Sequence, residues 1–159
     1  MVKNLRIHPP LSIISWILIT LAFHFAWEFF QLPFYTLWEN GNYQSITAVI
    51  LHCTLGDGLI SMAVWFVVGA LLRNWGWLLA DIGRGGIIAW LLGLAYTSWS
   101  EWRNVYLLGS WQYADSMPTI AGVGLLPLMQ WALVPPLSWL LYRYLAPYFP
   151  AKREEAPKE

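Results

Sequence analysis

Residues 11–31 read LSIISWILITLAFHFAWEFFQ, and this stretch decides the fold class. About 20 helical residues are needed to cross a hydrocarbon core of about 30 Å, and the apolar part of the stretch is that long. It is too long for the apolar core of a secretory signal, and it ends without a small-residue cleavage site. We therefore interpret it as a transmembrane helix that the protein retains.

Three further segments are long enough to cross a membrane as helices, and they cover residues 46–72, 86–102 and 118–145. The sequence therefore predicts an all-α polytopic membrane protein, a bundle of four transmembrane helices within one domain, residues 1–150. Residues 151–159 form a polar tail.

The fourth segment has capping residues at its predicted start and three prolines further along. Asp115 and Ser116 are good capping residues, which predicts Pro118 in the first turn of the fourth helix. A proline inside a helix removes a backbone hydrogen bond, so the later prolines are predicted to kink or divide this helix. They are Pro127, Pro135 and Pro136.

The composition also indicates a lipid environment. The 159 residues are 58% hydrophobic and only 11% charged, whereas soluble domains carry roughly 25% charged residues. Nine basic residues balance nine acidic ones, so no basic excess suggests a nucleic-acid partner. The single cysteine, Cys53, excludes an internal disulfide and a cysteine-only metal site. The expected partner is a membrane lipid or another hydrophobic small molecule, and the sequence leaves the oligomeric state open.

The basic residues predict the orientation, because cytoplasmic loops carry an excess of Lys and Arg. With the N-terminus inside, only Arg103 of the nine Lys and Arg residues lies outside. Both termini are therefore predicted to be cytoplasmic, in an integral multi-pass protein of a plasma membrane or a bacterial inner membrane. The residues predicted inside are Lys3, Arg6, Arg73, Arg84, Arg143, Lys152, Arg153 and Lys158.

Polar residues inside the spans are the candidates for chemistry, because ionisable groups in a membrane are costly and by default mark function or a polar pair. The first span carries His24, Glu28 and Gln31, and the spacings i, i+4 and i+7 return to one helix face. The other spans add His52 and Asp57 in the second, Thr97 and Glu101 in the third, and Gln130 in the fourth.

These residues are predicted to converge in the outer half of the membrane. At about 1.5 Å per residue, His24 lies about 10 Å deep, His52 about 9 Å, Glu28 about 4 Å and Asp57 about 16 Å. A partly dry cavity at that depth favours the protonated form of a carboxyl group, which can then act as a general acid. The predicted catalytic residues are Glu28, His24, His52, Asp57 and Glu101, and the predicted substrate contacts are Trp27, Gln31, Thr97 and Gln130.

In this hypothesis Glu28 donates the proton and His24 sets the protonation of Glu28. His52, Asp57 or Glu101 accepts a proton or stabilises cationic charge, and aromatic faces such as Trp27 add cation–π stabilisation. No cofactor and no metal ligand is predicted.

Other interpretations of the same residues remain open. His24 and His52, at matching depths on neighbouring helices, could hold haem or a metal in a membrane redox protein, although the sequence has no HxxH or HExxH spacing. In a noncatalytic membrane subunit the polar residues would serve only helix–helix contacts. Glu28 and Glu101, both near the outer boundary, could also be interfacial.

Two of the spans resemble a known family. Residues 24–28 read HFAWE and give a His-x-x-x-Glu spacing, and residues 130–135 read QWALVP. In length, in four core helices and in these elements the chain resembles the EXPERA group, which includes emopamil-binding sterol isomerase. That group has His-x-x-x-Glu on one helix, and an Asn, a Trp and a Pro on the last core helix.

The second span and residues 26–28 extend the resemblance. The EXPERA group has an acidic residue before an aromatic-aliphatic run, and here His52 and Cys53 lie at about that distance before WFVV at residues 65–68. Residues 26–28, AWE, are also similar to the Asn-x-x-Trp-Glu element of integral-membrane terpene cyclases, which have seven helices.

Both groups protonate an alkene in a lipid-like substrate and steer the carbocation that forms. The resemblance therefore implies an isomerase or cyclase that acts on an isoprenoid or sterol-like lipid, with Glu28 as a catalytic acid. His52 or Cys53 stands where the isomerases have their second acid.

Overall fold

The computed structural model describes residues 9–148, with side chains from residue 13 to residue 147. Four long helices make up most of this part of the chain: α1 (Pro9–Gln31), α2 (Tyr43–Leu72), α3 (Ile82–Trp102) and α4 (Leu125–Leu145). Shorter elements connect and extend them: the short helices Leu32–Phe34, Leu37–Asn40, Trp77–Ala80 and Ala146–Tyr148, the π-helix Arg103–Leu108, and a hairpin of β1 (Thr119–Ile120) with β2 (Val123–Gly124). The predicted tail, residues 151–159, lies outside the described residues.

The four helices form a bundle in which α1 and α3 each pack against both α2 and α4. The surface of the bundle is apolar and its interior holds polar side chains, the reverse of a water-soluble protein. Exposed apolar side chains occur on every long helix, among them Leu18, Phe29, Leu55, Leu59, Phe66, Ile87, Leu91, Leu137 and Leu140. The buried polar side chains include Thr20, His24, Glu28, Gln31, Asp57, Thr97, Glu101, Gln130 and Ser138.

Within residues 9–148, three helical segments are long and apolar enough to cross a membrane: Ile13–Phe34, Tyr43–Leu72 and Leu125–Leu145. This finding supports the prediction of a membrane protein. Helix α3 is less apolar because its buried face carries small and polar residues at every fourth position: Gly85, Ala89, Gly93, Thr97 and Glu101. Small residues on such a face allow close helix packing.

Two indole rings occupy the space that the glycines of α3 leave. A Cβ atom on Gly85 would collide with the ring of Trp77, and one on Gly93 would collide with the ring of Trp131. The composition of α3 is therefore a consequence of packing large rings against its backbone.

Helices α2, α3 and α4 begin at residues other than those predicted. Helix α2 begins at Tyr43 rather than at 46, because Asn42 caps it and accepts a hydrogen bond from the Ser45 backbone N–H at 2.8 Å. Helix α3 begins at Ile82 rather than at 86, since the glycines at 85 and 86 face the core instead of opening the helix.

The largest correction concerns the start of the fourth helix, which begins at Leu125 and not at Pro118. The intervening residues form the β1–β2 hairpin, whose turn holds Ala121 and Gly122 at φ 50° and 81°. The hairpin is joined to the helix by a hydrogen bond of 2.7 Å from the Leu125 N–H to the Pro118 carbonyl. The caps at 115–116 therefore precede a hairpin rather than a helix.

Helix α4 is continuous through its internal prolines, so they do not divide it, and the alternative that they kink it stays a prediction. Pro136 has no N–H to donate to the carbonyl of Ala132, four residues earlier. The indole N–H of Trp90 on α3 donates to that carbonyl instead, at 3.1 Å. A neighbouring helix thus satisfies the group that the proline leaves free, as is common in membrane bundles.

The two ends of the bundle differ in character. At one end an apolar core holds Trp16, Val68, Trp77, Ala89 and Tyr142. At the other end, where α1 stops, the loop after α1 pairs with the loop after α3. A β-bridge joins Tyr35 to Tyr113, flanked by backbone hydrogen bonds of 3.1 Å and 3.0 Å.

Candidate functional site

A cavity of about 360 Å³ lies among the four helices at the end where α1 stops. This volume lies within the range of about 300–1,000 Å³ that is usual for small-molecule sites. Seven of the residues predicted from the sequence line it: Glu28, Gln31, His52, Asp57, Thr97, Glu101 and Gln130. The polar stripe of α1 and the polar positions of the other helices therefore meet in one space.

One amide nitrogen holds two carboxyl groups at the wall of this cavity. Nε2 of Gln130 lies 2.9 Å from Oε1 of Glu28 and 2.9 Å from Oδ2 of Asp57. The other oxygen of Asp57 accepts a hydrogen bond of 3.2 Å from the Trp131 indole N–H. All four side chains are buried. We refer to Glu28 and Asp57 as the carboxyl pair.

His24 lies behind Gln130 and is 0% exposed. Its Nδ1 is 3.0 Å from Nε2 of Gln130 and 3.2 Å from Oδ2 of Asp57. An amide nitrogen carries two hydrogens and cannot donate to three neighbours. If Gln130 donates to Glu28 and Asp57, Nδ1 of His24 is left to share a hydrogen with Oδ2 of Asp57.

The structure places His24 away from the cavity that most of the other predicted residues share. It does not belong to the wall of the cavity, because the Gln130 side chain lies in contact with it on the cavity side. It contacts Asp57 rather than Glu28, and its ring packs at 5.2 Å from the Trp131 ring.

Trp27 also lies away from the cavity wall, although it was predicted to contact substrate. Its indole N–H donates to the Leu126 carbonyl at 3.2 Å, and its ring packs 5.6 Å from that of Phe30. A spacing of one residue from Glu28 turns the side chain about 100° around the helix, which explains the difference.

Gln31 and Thr97 line the cavity with unused hydrogen-bonding capacity. Nε2 of Gln31 donates to Oε1 of Gln130 at 3.4 Å. Within the described part of the chain, Oε1 of Gln31 and Oγ1 of Thr97 are buried and have no hydrogen-bond partner. Neither oxygen is satisfied by the described part of the protein, although both residues line the cavity.

Glu101 is surrounded by aromatic donors from the two paired loops. Its Oε2 accepts from the Tyr113 hydroxyl at 2.7 Å, the Tyr35 hydroxyl at 3.4 Å and the Trp111 indole at 3.4 Å. Burial and the nearby Glu101 carboxylate raise the pKa of Tyr35 and of Tyr113 above their ordinary value. Both phenols therefore stay protonated and donate to Glu101.

The cavity reaches the apolar surface of the bundle between α2 and α3. His52 lines it from α2 and is itself exposed. Leu59 on α2 and Tyr96 on α3 also line it, with 73% and 43% of their surfaces exposed. The cavity therefore opens sideways, at the apolar surface of the bundle.

A metal or haem site needs ligand side chains that converge on one point. Among residues 9–148, no group of three or more His, Cys, Asp or Glu side chains is arranged to hold a metal ion. His24 is enclosed in the protein, whereas His52 lies at the cavity opening. The two histidines do not face a common space that would hold haem.

Sequence reasoning missed four residues of the site: Tyr35, Trp111, Tyr113 and Trp131. Trp131 follows Gln130 directly, and its proximity to a polar residue within a span was an available signal. The loop aromatics gave no comparable signal, because they reach Glu101 only through the pairing of Tyr35 with Tyr113, which are far apart in sequence.

A scan against protein-family models, a search of curated proteins and a search of solved structures each give no match for this chain.

Proposed function

We propose that the protein is a membrane-embedded acid–base enzyme of the isomerase or cyclase type, acting on a hydrophobic isoprenoid or sterol-like lipid. The observation that carries the proposal is the carboxyl pair, Glu28 and Asp57, buried at the wall of a cavity that opens to the apolar surface of the bundle. Such a site gives a lipid access to an acid while excluding bulk water.

The pair is suited to hold a proton. Two carboxylates that approach one nitrogen to 2.9 Å are close neighbours, and two like charges in a buried site are unfavourable unless one is protonated. Glu28 lines the cavity and is the proposed donor. Asp57, which receives hydrogen bonds from Gln130 and Trp131, is its proposed partner in the pair.

The proposed reaction begins when the Glu28 O–H proton adds to one carbon of an alkene. The π electrons form the new C–H bond, and the other carbon becomes a carbocation. In an isomerase the carbocation then loses a proton from a neighbouring carbon, which re-forms a double bond. In a cyclase the cation first adds to a second alkene, and the new cation then loses a proton in the same way. Asp57, Glu101 or His52 accepts the released proton, and all three line the same cavity as Glu28.

Cation stabilisation is assigned to rings other than Trp27. Tyr35, Tyr96, Trp111 and Trp131 all line the cavity, and the face of an aromatic ring attracts a cation. The carboxylate of Glu101 adds negative charge on the α3 side of the cavity.

We further propose that α3 is a fourth transmembrane helix and that both termini are cytoplasmic. Its 21 residues and its packing between α2 and α4 support a span. Ile87 and Leu91 on its outer face are more than half exposed, as expected for contact with lipid. Arg73, Arg84 and Arg143, at or near ends of α2, α3 and α4, support the orientation. We propose that this membrane is a plasma membrane or a bacterial inner membrane.

The relationship to the EXPERA group is also a proposal. The resemblance rests on residues 24–28 and residues 130–135, and these two elements are in contact in the structure. His24 and Glu28 of the first both contact Gln130 of the second.

The test is to identify lipids that co-purify with the protein and to incubate each with the protein in D₂O. An isomerase or cyclase should release a product of unchanged oxidation state that carries one carbon-bound deuterium, detected by mass spectrometry. Loss or gain of two hydrogens would support a redox enzyme instead. Failure to convert any co-purified lipid would overturn the proposal in favour of a noncatalytic subunit.

A further inference from the structure

The opening of the large cavity between α2 and α3 changes character along the helices. His52 on α2, Ser100 on α3 and Asn104 in the π-helix after α3 line the part nearer to the two paired loops. Leu59 and Tyr96 line the part that lies about one to two helical turns deeper. An opening that is polar at one end and apolar at the other fits an amphiphilic molecule, with its polar group near the loops.

His52 is an exposed polar side chain on an otherwise apolar surface. The exposed side chains near it on α2 are Leu51, Leu55 and Leu59. An ionisable side chain at the lipid-facing surface of a membrane protein is costly, and such residues usually face a cavity or a polar partner. Since His52 lines the opening of the cavity, a polar group of a bound molecule would offset that cost.

Ser100 and Asn104 add a hydrogen-bond donor and an acceptor at the same end of the opening. Nδ2 of Asn104 donates to the Ser100 carbonyl at 2.8 Å and to Oγ of Ser100 at 3.2 Å. These bonds use neither the hydroxyl hydrogen of Ser100 nor Oδ1 of Asn104. Both residues line the cavity and are only half-buried. A hydroxyl group both donates and accepts, so one alcohol group matches the two side chains.

The charges around the cavity disfavour an anionic polar group. Glu28, Asp57 and Glu101 line the cavity, whereas none of the Lys and Arg residues that the structure describes does so. Arg103, at the outer end of α3, lies over the ring of Trp99 at 5.7 Å instead. Proteins bind phosphate groups chiefly through Arg and Lys, and a phosphate beside three carboxyl groups would be repelled wherever these are ionised.

We propose that His52, Ser100 and Asn104 form a head-group site that binds an uncharged hydroxyl group of the lipid, while the apolar chain of the lipid lies deeper, along Leu59 and Tyr96. The inference rests on the proposed function for the lipid itself. It goes further, because it assigns the end of the cavity at which the polar group binds and selects an alcohol over a phosphate ester.

The head-group site also fixes where the reacting alkene lies. His52 and Asp57 are five residues apart on α2, which separates the head-group site from the carboxyl pair by about 7.5 Å along the helix axis. The alkene that Glu28 protonates must therefore lie several bonds away from the hydroxyl group.

Binding of tritiated farnesol, an isoprenoid alcohol, tests the choice of polar group. The wild-type protein is held in lipid nanodiscs, and displacement of the probe is followed by scintillation proximity. Unlabelled farnesol should displace the probe at least about tenfold better than farnesyl diphosphate, which is anionic, or farnesene, which has no hydroxyl group. Better displacement by the diphosphate, equal displacement by farnesene, or the absence of displaceable farnesol binding would each overturn the proposal.

Variants test the position of the head-group site in the same assay. Asn104→Leu and Ser100→Ala should each weaken farnesol binding about tenfold, because each removes a hydrogen-bonding group and leaves the deeper part of the cavity unchanged. Ser98→Ala is the matched control, since Ser98 is also half-buried on α3 but donates to the Leu94 carbonyl at 2.7 Å and does not line the cavity. Farnesol binding that is unchanged in both Asn104→Leu and Ser100→Ala would overturn the assigned position.

These readouts do not use lipid turnover, so a failure here is distinguishable from a failure of the proposed reaction. Selective binding of farnesol without conversion of any co-purified lipid would reject the enzyme and keep the head-group site. Conversion of a co-purified lipid by a protein that prefers the diphosphate would keep the enzyme and reject the head-group site.

Discussion

Nε2 of Gln130 lies 2.9 Å from Oδ2 of Asp57, and this hydrogen bond joins α4 to α2 in the interior of the bundle. The same nitrogen holds Glu28 of α1, so three helices depend on one side-chain amide. A buried group that loses its hydrogen-bond partner is costly, and the cost is larger for a carboxyl than for a neutral group.

Gln130→Leu should therefore destabilise the protein by about 3 kcal/mol, because it removes the donor from both members of the carboxyl pair. Gln44→Leu is the matched control, since Gln44 is exposed near the start of α2 and should change stability little. The measurement is the unfolding free energy of each variant in lipid nanodiscs. Equal stability of the two variants would mean that the pair does not depend on Gln130.

Glycine positions on α3 give a second pair of matched variants. A Cβ on Gly93 would collide with Trp131, whose indole binds Asp57, so Gly93→Ala should cost about 1–3 kcal/mol. Gly83 has nothing within 4 Å of the position of its added Cβ. Gly83→Ala should be neutral or stabilising by up to about 1 kcal/mol, because alanine loses less backbone entropy in a helix. Thermal unfolding compares the two, and a stable Gly93→Ala would contradict the close packing of Trp131.

The extent to which the sequence predicts this fold varies along the chain. The apolar runs of α1 and α2 predict long membrane helices, because a helix that crosses a lipid bilayer needs a long, continuous apolar stretch. Residues 118–124 look like the start of a helix, because capping residues followed by Pro118 and apolar residues are typical of a helix start. A hairpin can have the same local pattern. Its assignment depends on the turn at Ala121 and Gly122, both with positive φ, which a residue pattern alone does not reveal.

Residues of the candidate site such as Glu28 and Asp57 could be predicted from the sequence, but the contacts between the site residues could not. Intramembrane Glu28 and Asp57 could be selected because charge in a membrane is costly. The central role of Gln130 could not be read from sequence, because it contacts residues 73 and 102 positions away. Helical spacing put His24 on the face of Glu28, but only the packing of α4 against α1 separates it from the cavity.

Alkaline pH should reveal the contact between Tyr113 and Glu101. Burial and the Glu101 carboxylate raise the pKa of Tyr113 above its ordinary value of 10.0. The folded protein then holds the phenol proton more tightly than the unfolded chain, so this stabilisation is complete below about pH 10 and is lost as the pH rises above it.

Unfolding temperatures measured between about pH 8 and about pH 11 test this expectation. Tyr113→Phe should be less stable at the lower pH and should lose less stability as the pH rises, whereas Tyr43→Phe, at a residue 83% exposed, should follow the wild type. An identical pH dependence in all three proteins would contradict it.

The proposed topology predicts where reporters will be found. A reporter fused after Glu159 should be cytoplasmic, and one inserted at Asn42, between α1 and α2, should be external. The basis is the distribution of basic residues, with Arg103 alone on the outer side. A fusion after Glu159 that is found outside would mean an odd number of spans, and α3 would then not cross the membrane.

The last prediction concerns the proposed proton donor. Glu28→Gln should preserve folding, because an amide of nearly the same shape can still form hydrogen bonds with Gln130. It should abolish turnover of the co-purified lipid, since an amide cannot deliver a proton to an alkene. Glu28→Asp should retain a trace of activity, because the acid survives but is about one bond too short. Glu39→Gln is the matched control at an exposed carboxyl, and it should keep full activity.

Three measurements on each variant separate the proposed enzyme from the other interpretations: lipid turnover, bound metal and thermal stability. A metal site would lose metal content together with activity in Glu28→Gln. A purely structural role would change stability by about 1 kcal/mol, the size of a side-chain hydrogen bond within a membrane, and would leave no activity to lose. Full turnover by Glu28→Gln would remove Glu28 as the acid, and the alkene protonation proposed for the carboxyl pair would then need another donor.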